Sequence, residues 1–188
     1  AGALRLADLG YWSLEAFAAL APHQMVWLSR LQMQTAVYDA TGDRRELLEL
    51  LETQALDTVE LAVALGERQH LAARLLAVRV PQDVAETRRR RLRAAARDKG
   101  RQVSATRLAL AAWTIFVTNV PVERLTLREA LVLGRMRWQI ELLFKLWKRQ
   151  GRVDESRSTK PWRILCEVYA KLLAMLVQHW VFLVSFWA

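Results

Sequence analysis

The sequence contains little cysteine and histidine. Its 188 residues include one cysteine, Cys166, and three histidines, His23, His70 and His179. A single cysteine excludes an internal disulfide and a cysteine-rich zinc site, which fits a reducing compartment. No two histidines have metal-ligand spacing, so a zinc site is not expected. Cys166 itself is expected to be a small buried hydrophobe.

Signals for nucleotide hydrolysis and for secretion are also missing. The sequence has no GxxxxGK[ST] loop, which argues against nucleotide hydrolysis as an energy source. Charged residues at Arg5, Asp8 and Glu15 interrupt the N-terminal region, so it does not resemble a secretory signal. Because the chain starts without a methionine, we expect that upstream sequence is missing.

Apolar and basic residues are abundant. Hydrophobic residues make up 53% and charged residues 25%, a balance that lets the chain bury enough apolar surface to fold. The 28 Lys and Arg exceed the 19 Asp and Glu, giving a net charge of +9. This surplus attracts polyanions, and nucleic acid or an anionic membrane surface is the first partner to consider.

The hydrophobic pattern predicts strands mixed with helices. Strands are predicted at 4–7, 25–38, 58–65, 70–80 and 110–118, with a hairpin turn at 66–69. Helices are predicted at 13–21, 44–53, 83–99, 127–150 and 162–188. Thr126 and Glu129 form a capping box at the start of the fourth helix.

A charged stripe runs along the predicted helix 127–150. At 3.6 residues per turn, Arg137, Glu141, Lys145 and Lys148 share one narrow face. Both sides of the stripe are apolar, which predicts a largely enclosed helix. The alternative is a ladder of ion pairs at spacing four, each worth about 0.2–0.5 kcal/mol. The flanking apolar residues are Met136, Trp138, Ile140, Leu142, Leu143, Leu146 and Trp147.

This segment resembles the signature Tyr-x2-Arg-x3-Glu-x6-Lys of insertion-sequence DDE transposases of the YREK branch. Three of the four positions match, and Gly134 stands at the tyrosine position. The resemblance implies that Glu141 is the third metal-binding carboxylate. It also implies that Arg137 and Lys148 contact DNA phosphates, and Lys145 on the same stripe is a further candidate for DNA binding. Glycine at position 134 removes a phenol contact and weakens a helix by about 1 kcal/mol.

The N-terminal segment Asp8-Leu9-Gly10-Tyr11 is similar to the motif around the second catalytic Asp of the same family. The alternative is an Asp that only forms a turn. The resemblance implies two Mg²⁺ ions, replaceable by Mn²⁺, held by converging carboxylates that include Asp8 and Glu141. The family's first Asp lies on an earlier strand that the seven residues before Asp8 do not contain. We therefore expect these 188 residues alone not to catalyse strand transfer.

The resemblance implies a fold and a set of partners. The fold is α/β, a partial ribonuclease H-like core interrupted by a β-rich insertion and closed by two long C-terminal helices. Residues 1–22 and 121–188 would belong to the core, and residues 23–120 to the insertion. The partners would be double-stranded DNA and a second copy of the protein, in the bacterial cytoplasm near the nucleoid and away from membranes.

Two further features point to DNA contact. By resemblance, Trp113 is the nearest candidate for an insertion-domain tryptophan that stacks on a flipped base. A core tryptophan is the equally weighted alternative. The arginine run has the chemistry to bind phosphates, or it forms a solvated helix face. It consists of Arg88, Arg89, Arg90 and Arg91, followed by Arg93.

Two other functions stay open at this point. A decayed transposase that binds DNA without cutting it would explain Gly134 and the absent first Asp. A basic membrane-associated helical protein would explain the apolar segment 172–188. Gln178 and His179 within that segment, with Glu167 and Lys171 before it, favour a helix packed in a soluble core.

Overall fold

A seven-stranded mixed sheet organises the first two thirds of the chain. The structure is a computed structural model that describes residues 3–187, apart from the side chains of 137–141, 183, 186 and 187. The spatial order of the strands is β1-β2-β7-β6-β5-β3-β4. The strands are β1 (Leu4–Ala7), β2 (Val26–Arg30), β3 (Val37–Tyr38), β4 (Arg44–Arg45), β5 (Thr58–Leu65), β6 (Leu71–Arg79) and β7 (Trp113–Thr118).

Helices connect and follow these strands. The α-helices are α1 (Leu14–Ala18), α2 (Leu47–Glu52), α3 (Gln82–Arg97), α4 (Ala105–Leu110), α5 (Leu127–Arg149) and α6 (Pro161–Trp187). The chain divides into two compact units, Ala1–Gly134 and Arg135–Ala188, and the boundary falls inside α5. A mixed α/β fold is therefore confirmed.

The pairing of strands joins the predicted core and insertion segments in one sheet. β1 pairs with β2 in parallel, and β2 pairs with β7 antiparallel. β5 and β6 form the predicted hairpin, in which Leu65 pairs with Leu71. Gly66 starts the turn with a φ of 86°, a conformation that favours glycine. Strand pairing is therefore continuous across the whole sheet, from β1 at one edge to β4 at the other.

Two clusters of buried side chains stabilise the first unit. In the larger one, Trp27 is fully buried and stacks on Phe17 with ring centroids 4.4 Å apart. β7 is buried along nearly its whole length, and its buried side chains include Thr118 besides the apolar residues. The smaller cluster contains Leu28, Leu76, Phe116, Val120, Leu125 and Ala130. It ties the first turns of α5 to the sheet.

Local capping signals place the starts of two helices where the sequence predicts them. The Thr126 backbone N–H donates to Glu129 Oε2 at 2.9 Å, and Thr126 Oγ1 accepts from the Glu129 N–H at 3.3 Å. The Thr126 backbone N–H, together with the Thr126 hydroxyl that donates to Glu129 Oε2 at 2.8 Å, holds the pKa of Glu129 below its ordinary value. Ser13 Oγ accepts from the Ala16 N–H at 3.1 Å and begins α1. Both predicted caps are confirmed.

Three predicted elements differ from the structure. The run 25–38 contains two strands, β2 and β3, separated by a turn. Helix α2 begins at Leu47 because Arg44 and Arg45 pair with β3. The predicted strand 110–118 begins only at Trp113, because Leu110 is the last residue of α4, a helix that Ser104 Oγ caps by accepting from the Arg107 N–H at 3.3 Å. In each case a nonlocal pairing or a cap overrides the local apolar pattern.

Unit 2 exposes much of its apolar surface, contrary to the expected enclosure of α5. Met136 at the unit's start is 49% exposed, and Leu142 and Phe144 are 40% and 54% exposed. Residues 138 and 140 lie outside the described side chains. The apolar composition of a helix shows which surface it is able to bury. Burial also requires another helix or strand that packs against that surface. The described side chains of α5 in this unit are thus only partly covered.

Helix α6 differs from its prediction in the same way. Trp162, Leu176 and Trp180 are 80%, 67% and 67% exposed, and Cys166 is exposed as well. The expectation of a helix packed in a core, with Cys166 buried, is therefore wrong for this structure. Within the described residues, Pro161–Phe182 is also long and apolar enough to cross a membrane, with a mean hydropathy of 1.3. Length and composition alone make that a weak indication.

Polar contacts connect α6 to the loop before it. Lys171 Nζ donates to the carbonyl oxygens of Arg152 at 2.9 Å and Glu155 at 2.5 Å. Glu167 accepts from Ser156 Oγ at 2.7 Å and pairs with Lys171 at 3.0 Å. The Ser156 hydroxyl and the Lys171 ammonium lower the pKa of Glu167. The charged residues of α6 thus order the loop 150–160.

Candidate functional site

Asp8 lies at the carboxyl end of β1. Its neighbour Ala7 pairs with Ser29 of the parallel strand β2, and Ser29 Oγ donates to the Ala7 carbonyl oxygen at 3.1 Å. Asp8 is half-buried, and its Oδ1 accepts from the Leu9 N–H at 2.7 Å. Because the carboxyl ends of parallel strands meet at one edge, the exposed Arg30 ends β2 beside this position. The sequence analysis did not single out Arg30. A basic residue at the end of a buried strand is the sequence signal that could have identified it.

The charged stripe of α5 is described only in part. The side chains of Arg137 and Glu141 lie outside the described residues, whereas those of Lys145 and Lys148 are exposed. Asp8 belongs to the first unit and Glu141 to the second. Whether the two carboxylates converge therefore stays a prediction. Both have the carboxylate oxygens that Mg²⁺ prefers as ligands. Within the described residues there is no group of three or more His, Cys, Asp and Glu side chains placed to hold a metal ion.

Gly134, at the signature's tyrosine position, faces the ring of Phe116 from β7. A Cβ atom added at Gly134 would lie 2.2 Å from Phe116 Cζ and 2.6 Å from Cε1. Such distances are far below van der Waals contact, so the ring occupies the space next to the glycine. In this chain an aromatic side chain from the sheet fills the space beside that position of α5.

Two of the four candidate arginines, Arg88 and Arg89, form hydrogen bonds within the protein. Arg88 donates to the carbonyl oxygen of Trp113 at 2.9 Å and to Thr114 Oγ1 at 3.0 Å. Burial and the nearby charge of Arg30 lower the pKa of Arg88. Arg89 Nε donates to the Leu108 carbonyl oxygen at 3.0 Å. These contacts attach α3 to β7 and α4, a role that the arginine run alone does not indicate.

The other two candidate arginines face solvent. Arg90 and Arg91 are exposed on α3. Among the residues that the structure describes, neither has an ion-pair partner. They keep the chemistry needed for phosphate contact.

Trp113 is a member of the larger core cluster. It is 3% exposed, and the Arg79 guanidinium carbon lies 4.7 Å from its ring centroid. This burial favours the alternative of a core tryptophan over a base-stacking one. Stacking on a flipped base remains a prediction that would require the ring to become accessible.

Arg74 was not singled out by sequence reasoning, yet it fixes the entry to α5. Its Nη1 donates to the carbonyl oxygens of Val120 at 2.5 Å and Leu125 at 3.1 Å. It also pairs with Glu60 on β5. A charged residue in the middle of the apolar run of β6 is the signal that could have identified it. The turn that precedes the helix of Glu141 is therefore bound to the sheet.

Comparisons with known proteins place the chain in a family. A family model described as "Transposase DDE domain" matches residues 2–177. The transposase for insertion sequence element IS231F of Bacillus thuringiensis subsp. israelensis is 30% identical over 192 residues, covering 93% of this chain and 40% of that protein. The transposase for IS1151 of Clostridium perfringens is 24% identical over 200 residues, covering 97% of this chain and 42% of that protein.

A shorter match adds a third relative. The putative transposase InsL for IS186A of Escherichia coli (strain K12) is 35% identical over 102 residues, covering 54% of this chain and 28% of that protein. No solved structure matches the chain. The chain spans about two fifths of the length of the first two relatives. Since the family match covers nearly all of its residues, the chain belongs to the transposase DDE domain family.

Proposed function

We propose that this chain is part of an insertion-sequence transposase that cuts transposon ends and joins the freed 3′ hydroxyls to target DNA. The observation that carries this proposal is the family match over residues 2–177, a range that includes both Asp8 and Glu141. In the proposal, residues 1–22 and 121–188 belong to a ribonuclease H-like core. Residues 23–120 form the insertion that extends the same sheet.

The proposed site uses Asp8 and Glu141 as ligands of Mg²⁺, with Mn²⁺ able to replace it. The bound ions would activate the attacking oxygen and stabilise the leaving oxygen of a phosphodiester. Asp8 suits the role because its backbone is fixed at the end of β1 and its Oδ1 is oriented by the Leu9 N–H at 2.7 Å. Two carboxylates are fewer than the family's three. We therefore propose that these 188 residues do not cleave DNA by themselves.

Basic residues of the same helix would hold the DNA. Arg137, Lys145 and Lys148 are proposed to contact phosphates, and Arg90 and Arg91 to extend this contact on α3. The substrate is double-stranded DNA, and two copies would hold two transposon ends together in the cytoplasm, at the nucleoid. The exposure of Lys145 and Lys148 supports their part in this proposal.

Substitution of Glu141 tests the proposal in the complete transposase. We expect Glu141→Gln to reduce Mg²⁺-dependent cleavage of transposon-end DNA by more than about 100-fold, because it removes a metal-binding carboxylate. Binding of the same DNA should stay nearly unchanged. The matched control is Glu123→Gln, which neutralises an exposed glutamate outside the proposed site.

Two outcomes would count against this function. Cleavage by Glu141→Gln at the control's rate would remove Glu141 from the mechanism. A complete wild-type protein that binds transposon ends without cutting them in Mg²⁺ or Mn²⁺ would favour a noncatalytic remnant, the alternative suggested by Gly134.

A further inference from the structure

One face of α3 carries a row of exposed arginines. Arg90, Arg93 and Arg97 are spaced by three and four residues, so they lie within one narrow stripe. At 1.5 Å per residue the stripe is about 10.5 Å long. Arg101, also exposed, follows the turn that Gly100 makes with a φ of 61°. The row thus continues past the end of the helix.

Two adjoining grooves follow this row. The first has a volume of about 440 Å³ and is lined by Glu86, Thr87, Arg90, Arg93, Ala94 and Arg97. The second, of about 510 Å³, is lined by Arg93, Arg97 and Arg101 together with polar and apolar residues of 96–108. Arg93 and Arg97 line both, so they mark the centre of an elongated basic surface.

The charge of this surface is not neutralised within the described part of the chain. None of Arg90, Arg93, Arg97 and Arg101 has an ion-pair partner there. Glu86, the acidic residue lining the first groove, pairs with Arg89 instead. An ordinary solvated helix face gains stability from opposite charges at spacing four. Within α3, arginines at 89, 93 and 97 place like charges at that spacing, which costs about 0.2–0.5 kcal/mol per pair.

Two other arginines fix the helix that presents this row to the sheet and to α4. Arg88 and Arg89 donate to carbonyl oxygens of β7 and α4, at 2.9 Å and 3.0 Å. These hydrogen bonds hold α3 in place while the arginines of the row face solvent. A bound polyanion would relieve the repulsion between those arginines.

We infer that Arg90, Arg93, Arg97 and Arg101 form a binding surface for the phosphate backbone of duplex DNA. With one phosphate per 3.4 Å of helix axis on each strand, a stripe of about 10.5 Å reaches about three phosphates. The surface recognises the charge and spacing of the DNA phosphates and not the base sequence. This inference rests on the proposed function only in choosing DNA as the polyanion.

The salt dependence of DNA binding tests this surface. The chain is titrated into a fluorescently labelled 30-base-pair duplex in EDTA between 50 and 200 mM salt, and binding is followed by anisotropy. Loss of three phosphate contacts in R90Q/R93Q/R97Q should reduce the slope of log K against log salt by about 2.7. A lysine triple, R90K/R93K/R97K, should keep the slope because it keeps the charges.

The matched control removes the same net charge elsewhere. R68Q/R124Q/R128Q changes three exposed arginines outside the row and should alter the slope by less than about 1. Equal slope changes in both glutamine triples would overturn the inference, because net charge alone would then account for binding. A lysine triple that loses as much as the glutamine triple would also overturn it. Thermal melts of every variant verify that the fold is retained.

Vesicle binding and the use of EDTA distinguish a DNA surface from a membrane site and from the catalytic site. If R90Q/R93Q/R97Q lost binding to anionic phospholipid vesicles but not to the duplex, the surface would be a membrane site and the inference would be wrong. Because EDTA removes the metal, the assay does not depend on cleavage. A failure of the catalytic proposal therefore leaves this test unaffected.

Discussion

Arg88 and Arg90 show how identical residues acquire different roles through helix position. Arg88 is half-buried and donates to Trp113 and Thr114, whereas Arg90 is exposed. The run of arginines predicts a basic helix, and α3 confirms it. The sequence alone does not reveal which arginines face the sheet, because that depends on where β7 lies. The role of each arginine in the run therefore follows from the structure and not from the sequence pattern.

Replacement of Arg88 tests its role as an anchor. Arg88→Met should lower the free energy of unfolding by about 1–2 kcal/mol, because it leaves the Trp113 carbonyl oxygen and Thr114 hydroxyl without this donor. Arg91→Met, on the exposed side of the same helix, should change it by less than about 0.5 kcal/mol. Urea unfolding followed by tryptophan fluorescence measures both, and equal effects would contradict the anchor role.

For helices and strands, neighbouring residues predict where an element begins or ends better than they predict which other element packs against it. The capping box at Thr126 and the hairpin between β5 and β6 depend on neighbouring residues, and both are confirmed. The strand Arg44–Arg45 forms only because β3 lies beside it, so a local pattern reads it as helix. Burial of α5 and α6 likewise depends on a covering element, which an amphipathic pattern does not specify.

The contact between Phe116 and Gly134 gives a prediction at this scale. Gly→Ala inside a helix normally stabilises by about 1 kcal/mol. Here the new Cβ would lie 2.2 Å from Phe116 Cζ, and Phe116 is itself packed in a core cluster. Gly134→Ala should therefore destabilise the protein by about 1–3 kcal/mol. Equilibrium urea unfolding gives the value, and a stabilised variant would show that the ring moves freely.

A double-mutant cycle shows whether the ring is the cause. Phe116→Leu shortens the side chain that faces Gly134. In that background Gly134→Ala should cost at least about 1 kcal/mol less than in the wild type. An additive result would attribute the cost of Gly134→Ala to some other contact.

For the whole molecule, the resemblance predicts the family and an α/β fold, and both hold. It does not complete the candidate site. Asp8 and Glu141 lie in different compact units, and the Glu141 side chain lies outside the described residues. The motifs indicate which residue types act together, while their convergence is a property of long-range packing.

The division into units predicts that the sheet-containing part folds without the rest. Every member of both core clusters lies before residue 135, as do all the strands of the sheet. A chain ending at Gly134 should keep the free energy of unfolding of the sheet within about 1 kcal/mol, followed by tryptophan fluorescence and circular dichroism. A chain ending at Pro121 should be far less stable, because it lacks Leu125 and Ala130, which are 5% and 0% exposed in the smaller cluster. If the chain ending at Gly134 failed to unfold cooperatively while the 188-residue chain did, the core of the first unit would depend on residues beyond α5's first turns.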